Sequence, residues 1–141
     1  MPYDLLIRTN RIKPYIARPI EIQQLLDVAK RDLSAAVRNL GEDTDWAYTM
    51  AYNAVLQASR ALILKEGYRP RGGEQHATVV EFMQERLGEM FGKEVALFDQ
   101  MRRKRHRVIY EIAGLVSKSE AQQAVEFAKN FVEQLRQEIA R

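Results

Sequence analysis

The segment Asp43–Glu66 constrains the fold more than any other part of the chain. From a capping residue, Asp43 or Thr44, to Gly67 it keeps an unbroken helical pattern. Ala47, Ala51, Ala54, Ala58 and Ala61 follow one another at steps of four, three, four and three. On a helix that spacing makes a ridge of small side chains, against which another helix can approach closely. Tyr48, Met50, Tyr52, Val55, Leu62 and Leu64 surround the ridge, so the helix is apolar on more than one side. Other elements must cover such a helix, and its place is central.

The remaining segments supply the cover. After Pro19, the residues Ile22, Leu25, Leu26, Ala29, Leu33, Ala36, Val37 and Leu40 form a helical stripe that Gly41 stops. Asp27, Lys30, Arg31, Asp32 and Arg38 give that helix a solvated face. A short helix is expected over Ala77–Leu87, carrying Val79, Val80, Phe82 and Met83. Gly88 and Gly92 bracket a break, and a basic helix is expected over Lys93–Ala113, ended by Gly114. Ser117 with Glu120 three residues on is a capping box. It opens a last helix with Ala121, Ala124, Val125, Ala128, Phe131, Val132, Leu135 and Ile139 on one face. No segment has strand periodicity, so the expected fold is all-α, an up-and-down bundle of four long helices and one short one. Residues 1–19 carry Pro2, Pro14 and Pro19 and read as an irregular basic arm, with one turn near Leu5–Asn10, lying across the bundle. Residues 20–141 then form the helical domain.

Several chemistries are excluded early. Without cysteine there is no disulfide, thiolate zinc site or cysteine nucleophile, and His76 and His106 alone do not make a multi-histidine metal site. No phosphate loop of the GxxxxGK[ST] or GxGxxG type occurs, and no serine elbow. No acid sits on an apolar stripe, where paired carboxylates would be needed. No apolar run reaches the roughly 20 residues of a membrane span, and the first residues lack a signal-peptide core, so a cytoplasmic protein without cofactor is expected.

What remains is Met101–Glu111, MRRKRHRVIYE, with five Lys/Arg and one His inside an amphipathic helix. Leu97, Met101, Val108 and Ile112 are expected on its core-facing stripe, with Arg105 on the same stripe between Met101 and Ile109. A buried guanidinium needs hydrogen-bond partners or an anion. A Glu on a facing helix is one candidate partner and a bound phosphate another. Arg102, His106 and Tyr110 recur at one-turn spacing along a single edge. Arginine can stabilise the charge of a phosphorane while an imidazole or phenol moves a proton, so the edge suits phosphodiesters. Arg103 and Arg107 on this helix, and Arg69 and Arg71 in the loop Gly67–Gln75, are candidate anion contacts. His76 reads either as a further contact or as a helix-start residue in a local hydrogen bond.

The order of segments resembles the HEPN domain, the helical "higher eukaryotes and prokaryotes nucleotide-binding" family. The matching pieces are AKRDLSAA, AYNAVLQASRALILKEGY, GGEQHATVVEF, RRKRHRVIYE and a final AxxAxxFAxxF-type helix, spanning roughly Glu21 to Arg141. The resemblance implies a helical bundle that dimerises through the motif-bearing helices. It also implies an RNA or nucleotide ligand, a metal-independent endoribonuclease or toxin, and a nucleotidyltransferase antitoxin as partner; the alternative is a non-catalytic binding module. The family site is an Arg, a polar residue, a few further residues and a His. Carried over, Arg105 matches the arginine, His106 the polar residue, and Tyr110 stands where the closing histidine would be. Arg102 and His106 give an Arg-x3-His, one residue short of the usual spacing. Because phenols titrate near 10, tyrosine is a poor base at neutral pH. Three outcomes stay open: His106 acts in place of the missing residue, Tyr110 acts as acid, or the site only binds.

Overall fold

In the computed structural model, which describes residues 3–73 and 75–141, helix accounts for 75% of the chain, and the fold is an all-α bundle. The start of the arm at Met1 and Pro2, and Glu74 of the loop, lie outside the described residues. The elements in chain order are α1 (Asp4–Arg8), β1 (Ile12–Pro14), α2 (Pro19–Asn39), α3 (Thr44–Lys65), β2 (Tyr68–Pro70), α4 (Gln75–Leu87), α5 (Gly92–Tyr110) and α6 (Lys118–Ala140).

Helix α3 is the centre. Its five ridge alanines are all fully buried, and α2 and α6 pack along it. The hairpin of α4 and α5 leans on a further side of α3. Local chemistry sets the ends of these helices. The Asp43 carboxylate accepts the Trp46 N–H at 3.1 Å and caps α3. Gly67 follows α3 with φ +95°, a conformation that suits glycine. At α6, Ser117 Oγ accepts the Glu120 N–H at 3.1 Å, and Glu120 answers at the Ser117 N–H.

Three expectations need correction. The arm is not irregular throughout and strand structure is present: β1 pairs antiparallel with β2, with Ile12 opposite Pro70 and Pro14 opposite Tyr68. Three-residue strands bounded by prolines are too short to show a period. The arm is held down by Tyr3, stacked on Phe82 with centroids 4.1 Å apart, by buried Leu6 and Ile12, and by Arg11, which donates to Thr78 Oγ1 and pairs with Glu81.

The basic helix ends at Tyr110 and not at Ala113. The Asp45 carboxylate, reaching from α3, accepts the Gly114 N–H at 2.6 Å and the Val116 N–H at 3.1 Å. That capture draws the chain off the helix axis, and Gly114 takes φ +73° in the turn. The buried stripe of α5 is Val95, Phe98 and Met101, whereas Leu97 and Ile112 are exposed. The helix is rotated so that the i, i+3 series through Phe98 faces α3, and Ile112 lies beyond the helix end.

Candidate functional site

Continuing the buried stripe of α5 past Met101 by one turn leads to Arg105. Its guanidinium lies over the Tyr52 ring of α3, 5.9 Å from the centroid, and its Nε is buried without a hydrogen-bond partner. The expected alternative, an ion pair to a Glu of a facing helix, does not form among the described residues. The reason is placement: the side chain enters between α3 and the start of α4, where, among the described residues, Tyr52 and His76 stand and no carboxylate lines the space.

Arg105 opens onto a cavity of about 370 Å³ lined by Gln75, His76, Ala77, Arg102, Arg105, His106 and Tyr110. Helical spacing brings the α5 members together, and the first turn of α4 closes the opposite wall. His106 and Tyr110 pack with ring centroids 4.9 Å apart. Arg102 donates from Nε to Asp99 at 3.0 Å, and Arg103 shares the same carboxylate at 2.9 Å. One anion therefore serves two cations. Arg107 points outward to Glu111 at 3.7 Å. Arg69 and Arg71 belong to the ribbon end and do not line the cavity; Arg69 lies over Tyr15, 5.3 Å from its centroid.

Of the inner wall the sequence offered His76, and what it did not show is its partner Tyr52. The Tyr52 hydroxyl and His76 Nδ1 are 2.9 Å apart. Burial pushes the Tyr52 phenol well above its ordinary range despite the pull of Arg105, Arg102 and Arg60, so it stays protonated. Burial, and then the charges of Arg105, Arg60 and Arg102, lower the His76 imidazole to about 4, and the ring is neutral near pH 7. Arg60 of α3, whose guanidinium is lowered by burial with Tyr52 opposing, has no acidic partner among the described residues. Tyr52 on an alanine-rich helix resembles any core aromatic, and only its meeting with α4 gives it a role.

The cavity thus has one guanidinium, Arg105, without a counter-charge among the described residues, a second, Arg102, that shares one, and a neutral imidazole, with the charge of Arg60 felt from behind Tyr52 and His76. The positive end of the α4 dipole adds to them. Such a site suits an anion that accepts several hydrogen bonds, as a phosphoryl group does. Among the described residues no group of three His, Cys, Asp or Glu is placed to hold a metal. No helix of the described residues is long and apolar enough to cross a membrane.

One family model, HEPN domain, matches residues 22–138, most of the chain. That family is often nucleotide- or RNA-binding, with ribonuclease activity. No curated protein matches the chain.

Proposed function

The chain belongs to the HEPN domain family, and from that premise we propose that it is an RNA-directed, metal-independent endoribonuclease of toxin or defence type. It works in the cytoplasm as a homodimer, with a nucleotidyltransferase as its antitoxin. One observation carries the RNA reading: Arg105 holds a buried Nε without an acceptor at the wall of a cationic cavity. A phosphodiester oxygen supplies that acceptor. The exposed side chains of Leu97, Tyr110 and Ile112 on and beside α5 support pairing of two copies along this helix.

The chemistry follows from the residues present. The 2′-oxygen of RNA attacks the neighbouring phosphorus, its proton passes to a base, and the bond from phosphorus to the 5′-oxygen breaks as that oxygen takes up a proton. Arg105 and Arg102 stabilise the charge that gathers on the non-bridging oxygens. His106, with an exposed imidazole, moves the proton, and the Tyr110 hydroxyl beside it donates a hydrogen bond or a proton to the leaving oxygen.

The test is cleavage of total tRNA in EDTA by wild type, Arg105→Ala and His106→Ala. Wild type is expected to cut, with each variant reduced roughly 100-fold or more. Expression of wild type, and not of Arg105→Ala, is expected to arrest growth. Uncut tRNA with RNA still bound through Arg105 leaves a non-catalytic binding module. Unchanged cleavage by both variants overturns the assignment.

A further inference from the structure

The Tyr52 hydroxyl has two ways to satisfy His76. Either the phenol donates to Nδ1, or Nδ1–H donates to the phenol oxygen. In the second arrangement the phenol's own proton needs another acceptor. No other hydrogen bond of the phenol occurs among the described residues: of the charged groups that act on it, Arg105, Arg102 and Arg60 only donate, and the Asp99 carboxylate is taken by Arg102 and Arg103. A buried donor left unpaired is costly. The phenol therefore donates to Nδ1, and the imidazole proton resides on Nε2. That nitrogen has no protein partner among the described residues, while the ring it belongs to lines the cavity beside Arg105.

We propose that His76 binds the phosphate of RNA as a neutral donor through Nε2–H, with Tyr52 as the positioning residue that fixes its tautomer and Arg60 as a half-buried cation behind it. The inference rests on the phosphate reading of the cavity and adds a second wall to it. Arg105 approaches the anion from α5 and His76 from the first turn of α4, so the anion bridges two helices. The groups facing His76 are Tyr52 and Arg60 from α3 and Arg102, Arg105, His106 and Tyr110 from α5. None of these is a carboxylate, so among the described residues no group stabilises an imidazolium there. This agrees with its proton affinity being lowered, to about 4. The two histidines then have separate duties. His76 gives a contact that does not change with pH near neutrality, and His106 serves the proton transfer.

The chain has only these two histidines, which makes the test direct. Long-range proton–nitrogen NMR of the full chain reports each imidazole's tautomer and titration, and His106→Gln assigns the signals. His76 is expected as the Nε2–H tautomer, with no titration from about pH 5 to about pH 8. A short polyuridine RNA should shift its Nε2 signal. Tyr52→Phe, which keeps the core ring, should raise the His76 midpoint by ~0.5–1 unit. In a Tyr52→Phe background, which leaves no phenol unpaired, His76→Ala should weaken RNA binding roughly tenfold with its thermal midpoint little changed. A resting Nδ1–H tautomer, or RNA affinity kept by His76→Ala yet lost in Arg105→Ala, overturns this inference and leaves the phosphate reading standing. Wild-type protein that binds no RNA overturns both.

Discussion

At Arg105 the chain accepts a local cost that its fold does not require. The buried Nε lacks an acceptor, a deficit of about 1–3 kcal/mol, and the Tyr52 face returns about 0.5–2 kcal/mol through cation–π attraction. Methionine fills a similar space without the unmet donor. Arg105→Met is therefore expected to raise stability by about 1 kcal/mol in urea unfolding while abolishing RNA binding. A loss of stability instead would mean that the guanidinium is held for structural reasons. Arg103 and Arg107 differ in kind, since each is exposed and has a carboxylate beside it. The sequence could place Arg105 on the stripe because Met101 stands one turn before it. It could not place Tyr52 under it, because that depends on the way α5 rotates against α3. The same rotation explains why Leu97, apolar and at helical spacing, is exposed.

Among the elements, α5 depends most on a distant residue. The helices α2, α3 and α6 announce their own ends through Pro19, Asp43 and the Ser117–Glu120 box, so their limits were legible. The end of α5 is set by Asp45, 69 residues before the Gly114 it captures, and no local signal carries that. The ribbon was hidden for a related reason: Ile12–Pro14 becomes a strand only where Tyr68–Pro70 meets it. Asp45→Ala should release the Gly114 and Val116 N–H groups, the second of them part-buried. The expected cost is about 1–2 kcal/mol in chemical unfolding. Faster amide exchange should be confined to the end of α5 and the turn after it. Cleavage should fall as well, since His106 and Tyr110 occupy that last turn. Slower exchange there, or unchanged stability, would show that the turn holds without the carboxylate.

Over the whole molecule, a net charge of +3 and a pI near 9.3 leave exposed cations such as Arg8, Lys30, Arg38, Lys118 and Lys129 scattered without an ion pair among the described residues, while others are neutralised. Arg11 pairs with Glu81, Arg31 with Asp32, Arg86 with Glu66 and Glu138, and Lys104 with Glu120. The cavity between α3, α4 and α5 differs from these scattered cations, since beside it Arg60 and Arg105 lack a carboxylate among the described residues and Arg102 shares Asp99 with Arg103, which makes a cluster. RNA bound by that cluster neutralises few phosphates and releases few counterions. The slope of log affinity against log salt should be about −2, near three single-strand contacts at roughly −0.7 each. Arg105→Ala should flatten it by about 0.7. A fluorescence titration of polyuridine over a range of potassium chloride measures both. A slope steeper than about −4 that ignores Arg105 would spread binding over the outer arginines, among them Arg69, Arg71, Arg103 and Arg107. The affinity would then be a property of the surface, and the cavity would have to act on RNA already held elsewhere.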